Sequence, residues 1–204
     1  MERIEAIHQF WFQGVDDTTK IDNNKPPFKM WFVKDEKFDK EIKDRFEDDI
    51  IKASQGAYGD WEKISKGRLA FILLLDQFTR NIYRNTPQMF AGDALALSLS
   101  LKTIDEKKDK EFQLVERVFV YMPLQHSENK EVQQLLLQYF RSLVDECQKK
   151  NPANVHYYKY SYDYAKRHHD IIEHFGRFPH RNKILNRPST KEEVDFLKKP
   201  GSSF

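Results

Sequence analysis

The sequence lacks most of the features that announce a familiar chemistry. It has one cysteine, Cys147, so no disulfide can form within the chain. Its seven glycines are scattered, and no glycine-rich phosphate loop occurs. The longest apolar run, residues 69–75, falls far short of the roughly 18 residues a membrane-spanning helix needs. No stretch alternates apolar and polar residues for the length of a useful strand. The net charge of +2 gives no electrostatic basis for dedicated nucleic-acid binding. Glu2 and Glu5 interrupt the N-terminal segment, and no continuous apolar stretch follows, which argues against a secretory leader. These absences predict a cytoplasmic protein in a reducing setting, with neither nucleic acid nor membrane as partner.

What is present is helical. The chain of 204 residues is 39% hydrophobic and 14% aromatic, enough for the core of one domain spanning 1–204 with a short frayed tail over 200–204. Apolar residues at spacings of three and four predict helices over 2–13, 35–55, 61–84, 89–103, 112–122, 128–147 and 155–175. The stripe Phe38, Ile42, Phe46, Ile50 and Ala53 is the clearest of them. Residues 69–75 are apolar on every side, which marks the central helix. Residues 14–27 read as a surface loop, Phe28, Met30, Trp31 and Phe32 as an aromatic knot, and 105–111 as a solvated, charged connector. Pro87 and Pro123 predict helix ends, Ser127 a cap for the helix after it, and Ser189 with Glu192 a capping box for a last short helix. Cys147 falls among Val132, Leu136, Phe140 and Leu143 at helical spacing and reads as a small buried hydrophobe. The fold class is all-α, an irregular α-solenoid or bundle of antiparallel helix pairs.

Chemistry concentrates in a few stretches. Residues 168–182 read HHDIIEHFGRFPHRN. The spacing of Tyr162, Ala165, His169, Ile172 and Phe175 puts His169 on an inward stripe. Gly176 suits the left-handed position that closes a helix, and Pro179 stiffens the turn that carries His180, Arg181 and Asn182. In residues 69–84, LAFILLLDQFTRNIYR, one face runs from Leu69 and Leu73 into Asp76, Arg80 and Arg84. Asp76 and Arg80 are spaced for a salt bridge.

Those two stretches, with FVYMPLQHSE at 119–128 and NRPST at 186–190, resemble the domain-of-unknown-function 924 family along almost the whole chain. The resemblance implies a tetratricopeptide-like helical fold and no established activity. The family's polar motif positions fall on Asp76, Arg80, Asn81, Arg84, Asp93, His126, Ser127, Glu128, His169, Arg177, His180, Arg181 and Asn182.

Three functional readings follow. The first is an interaction module or scaffold for a protein or peptide partner, with the Arg/His/Asp positions as an internal polar cluster. The second is a pocket or enzyme for a small anionic ligand. Here Asp76, Arg80, Arg84, His126, His169, Arg177, His180, Arg181 and Asn182 would line the site, and His126, His180 or Glu128 would act as acid or base. The third is a metal-assisted hydrolase drawing on His126, Glu128, His169, His180 or Asp93. No tight ligand pair such as HExxH supports it, so no metal or other cofactor is expected. A pocket requires the segments to meet around an open cleft, whereas a structural cluster requires the same residues to be buried and bonded to one another.

Overall fold

Leu69, Ala70, Phe71, Ile72, Leu73, Leu74 and Leu75 are all buried, and the chain wraps its other helices around them. The computed structural model describes residues 1–203, and no strand occurs among them. The fold is all-α. Its helices are α1 (Glu2–Phe12), α2 (Phe28–Phe32), α3 (Glu36–Ser54), α4 (Ser65–Ile72), α5 (Thr79–Ile82), α6 (Asp93–Asp105), α7 (Leu114–Gln125), α8 (Lys130–Lys150), α9 (Val155–Phe175) and α10 (Lys191–Leu197). From α6 onward, each helix through α9 packs on the next. Among the described residues no helix is long and apolar enough to cross a membrane.

The core follows from the apolar stripes. Phe38, Ile42, Phe46, Ile50 and Ala53 are buried along α3, and Ile4, Ile7 and Trp11 along α1. Around Trp11 the rings of Trp31, Phe38, Phe78 and Phe119 lie with centroids 5.3–6.3 Å away. The Trp31 indole N–H donates to the Trp11 carbonyl at 2.9 Å. The aromatic knot splits: Phe28 and Trp31 are buried, while Phe32 is 56% exposed. Cys147 is buried.

Several boundaries differ from the sequence reading. The helix expected over 61–84 is four pieces: a 3-10 turn at Gly59–Lys63, α4, a π-helical turn at Leu73–Phe78, and α5. Adjacent Asp76 and Gln77 in the π turn are both interior, like every residue from Leu69 to Thr79. The segment 89–103 begins with a separate 3-10 turn at Pro87–Phe90, and α6 starts only at Asp93. Pro123 does not end α7; it lies inside the last turn, and the His126 N–H still reaches the Met122 carbonyl at 3.2 Å. Asn129, not Ser127, caps α8, accepting from the Val132 N–H at 2.9 Å. The final capping box uses Thr190 and Glu193, one residue later than expected. Residues 105–111 are not a plain connector, because Asp109 is buried and accepts the Tyr121 hydroxyl. In the 200–204 tail, Ser202 is buried and bonds the Leu197 carbonyl at 3.1 Å; Phe204 lies outside the described residues.

Gly92, just before α6, lies against the backbone of the π turn. A Cβ there would collide with the carbonyl oxygen and side chain of Leu75. Gly92→Ala is expected to cost about 1–3 kcal/mol in urea unfolding, as overpacking does. Gly59→Ala, with open space around its Cβ position, is expected to stay within about 0.5 kcal/mol. Equal midpoints for the two variants would contradict the close approach.

Candidate functional site

The polar residues of the central helix meet those of two later turns. Asp76, in the π turn, is fully buried. Its Oδ1 lies 2.6 Å from His126 Nδ1, at the end of α7, and its Oδ2 accepts the Gln77 amide at 2.6 Å. A carboxylate only accepts, so His126 Nδ1 carries the proton and Nε2 is left with its lone pair. Arg80, one turn beyond Asp76, donates to the Asp76 carbonyl at 2.8 Å and lies 3.3 Å from Asp76 Oδ1. Its guanidinium grips Asp93 with two bonds, at 2.8 and 3.0 Å. Asp93 opens α6, where the helix N-terminus favours a carboxylate.

The turn after α9 closes the group. Gly176 ends α9 at φ 68°, and the 3-10 turn Pro179–Arg181 brings the Arg181 guanidinium to the His126 carbonyl at 2.9 Å and to Asp93 at 3.4 Å. That guanidinium stacks between the rings of Phe90 and Phe178, 4.7 and 4.6 Å from their centroids. Its Nε is buried with no hydrogen-bond acceptor. Beside it, Glu128 accepts the Phe178 N–H at 2.8 Å and a forked pair from Arg187 at 2.7 and 3.0 Å. Asp76, Asp93 and Glu128 thus face Arg80, Arg181 and Arg187, three charges of each sign. Side-chain exposure is 8% for Arg181, 14% for His126 and 21% for Asp93.

Burial works against every charge here. It would raise the Asp76 carboxyl, but the His126 ring and the Arg80 guanidinium outweigh it and hold the group below the usual carboxylate range. Burial, reinforced by Arg80, lowers His126 despite Asp76, so the ring is neutral. Burial lowers Arg181 to about 10, with Arg80 adding to the shift; the group stays charged at neutral pH. His168 is pushed well down by burial, and His180 to about 4 by burial and Arg181.

Not every residue singled out in the sequence reaches this group. Asp76, Arg80, Asp93, His126, Glu128 and Arg181 do. Arg84 turns away to bind Asp39 on α3 at 2.8 and 3.0 Å. His169 does not face inward: its partners are Asp170 and Glu173 on the outer side of α9, and the buried histidine is His168. Arg177 binds Glu193 at 2.6 Å and the Pro188 carbonyl at 2.9 Å, and Asn182 bridges Ser189, Glu193 and Arg187. The sequence reading missed Arg187, Glu193 and His168. Among the described residues, no three His, Cys, Asp or Glu side chains converge as a metal-ligand set.

A family model described as "Bacterial protein of unknown function (DUF924)" matches residues 7–201. A solved structure of a protein of unknown function from Agrobacterium tumefaciens is similar at 34% identity. Their alignment covers 97% of each chain with a TM-score of 0.74. No curated protein matches.

The histidine shifts give a pH dependence. Unfolded, these rings titrate near 6.5; folded, His126, His168 and His180 titrate lower. Below pH about 6.5 the unfolded chain binds more protons, so stability falls with pH, by up to about 1.4 kcal/mol per pH unit for each histidine. Urea midpoints are expected to be level from pH 8 to 7 and to drop steeply from 6.5 to 5, with a shallower slope in His168→Gln. A flat profile over that window would rule the shifts out.

Proposed function

The chain belongs to the DUF924 family, and for this member we propose a helical interaction module, a scaffold whose buried charges serve its own architecture. One observation carries the reading: Asp76, Arg80, Asp93, His126 and Arg181 bond to one another, with charges balanced and side chains mostly buried. A site built for an anion keeps a cation in reserve, whereas these guanidiniums already hold carboxylates. A buried polar network bonded in this way, with the Arg181 Nε–H alone left over, holds the helices that supply it in one arrangement. The proposal takes 1–204 as one domain. It takes the succession of packed helices from α6 to α9 as tetratricopeptide-like pairing. The lone, buried Cys147 fits a reducing cytoplasm.

A second reading rests on the Asp76–His126 contact. An ionised carboxylate that orients a neutral imidazole leaves Nε2 as a base, here beside Arg80 and Arg181, for a small anionic metabolite. The metal-assisted alternative has no such support, since its ligands do not gather.

A thermal-shift screen of the intact protein against phosphate, nucleotides, small carboxylates and divalent cations separates the two readings. No stabilising ligand is expected. Asp93→Ala is expected to lose about 3–5 kcal/mol, because it strands two largely buried guanidiniums. A ligand at a hundredfold its Kd would add about 2.7 kcal/mol. Such a gain, abolished in Arg181→Ala, would sink the scaffold reading in favour of the anion site.

A further inference from the structure

A cleft of about 710 Å³ runs between α9 and α10, away from the polar cluster. Each helix offers it one ridge: Asp170, Ile171, His174 and Phe175 from α9, and Lys191, Glu192, Asp195 and Phe196 from α10, with Lys199 just beyond. The spacing i, i+1, i+4, i+5 on both sides makes two parallel walls. The floor is apolar. Phe175 and Phe196 are half-buried with centroids 4.9 Å apart, and with Ile171, Ile172 and Phe178 they form a small cluster separate from the main core.

The rim is charged, and its charges are unevenly matched. Each carboxylate is engaged within the chain: Asp170 by Lys166, Glu192 by His174 and Asp195 by Lys198, all at 2.7 Å. Lys191 and Lys199 are exposed and form no ion pair among the described residues. With Lys166 and Lys198 counted beside their partners, four ammonium groups surround three carboxylates. Lys191 is also the first residue of α10, where the helix dipole disfavours a cation. Helix stability therefore does not account for a lysine there.

We propose that this cleft docks a short segment of another protein that carries two large apolar side chains on one face and carboxylates beside them. The apolar pair lies on the floor formed by Phe175 and Phe196, beside Ile171. The carboxylates meet Lys191 and Lys199. This is the helix-in-groove mode of recognition, with the lysines selecting acidic partners and speeding encounter. The inference rests on the interaction-module reading and gives that module its partner surface.

The test is selection of displayed random peptides of about twelve residues on the intact protein. Anisotropy with the enriched sequence and amide chemical-shift mapping follow. Enriched peptides are expected to share two large apolar residues three or four apart, flanked by Asp or Glu. Binding is expected to fall about tenfold or more in the double variant Lys191→Glu/Lys199→Glu, whose exposed positions leave the melting temperature no lower. Phe196→Ala is expected to weaken binding as well, with folding checked by the same melt. Peptides without acidic bias, indifference to the charge reversal, or an empty selection would overturn the proposal. Shifts confined to another face would overturn the cleft and leave the module reading standing. Self-association that shifts α9 and α10 resonances on dilution would put a second copy of the chain in the cleft instead, and overturn the peptide proposal. The module reading itself falls only on the ligand screen, so the two failures are distinguishable.

Discussion

A carboxylate with no access to water has to be balanced by the protein itself, and Asp76 is such a group. Leaving it uncompensated would cost several kcal/mol, a large share of the stability of an ordinary domain. The compensation draws on distant parts of the chain: Gln77 and Arg80 from its own helix, and His126 from the end of α7. Arg80 is held in turn by Asp93, and Asp93 by Arg181. The π turn, the start of α6 beside Gly92, the end of α7 and the turn after α9 each place one of these groups within hydrogen-bonding distance of another. The apolar core packs the helices, and the buried charges tie together the central helix, the end of α7, the start of α6 and the turn after α9.

The apolar frame was legible because it is periodic. Phe38, Ile42, Phe46, Ile50 and Ala53 repeat with the helical turn and are all buried. Reading by period fails where neighbours offer equal claims. His168 and His169 are chemically identical, and so nearly are Ser189 and Thr190 as caps; tertiary partners decide between them, and both readings were one residue out. Pro123 is a helix-breaker by local rule, yet the last turn of α7 holds it. Arg84 was lost for a different reason. A period of 3.6 continues the Asp76 face to residue 84, but α5 ends at Ile82, and Arg84, beyond that end, binds Asp39 on α3.

The polar group was legible in its residue types and hidden in its pairings. Asp76, Arg80, His126 and Arg181 stand on motif-rich segments, but nothing local ties Asp93 to Arg181 or Glu128 to Arg187. Those partners lie 88 and 59 residues apart, and an ion pair at that separation leaves no trace in spacing. Glu193 is legible only as half of the Thr190 capping box, and its bonds to Arg177 and Asn182, 16 and 11 residues back, are not. The C-terminal segment is thus fastened largely by such bonds over a small apolar cluster of its own, which leaves the α9–α10 cleft open beside it.

The separations have a consequence for the order of events during synthesis. Asp76 emerges from the ribosome well before His126, 50 residues on, and Asp93 before Arg181, 88 residues on. Until those partners arrive, the carboxylates stay hydrated, and the surrounding apolar helices cannot close over them. Contacts at such range form slowly, and unclosed apolar surface invites aggregation. A nascent chain carrying only α1 through α6 already has α1, α3 and α6 against the central helix but lacks His126 and Arg181, so its buried carboxylates gain their last partners only when the turn after α9 has been made.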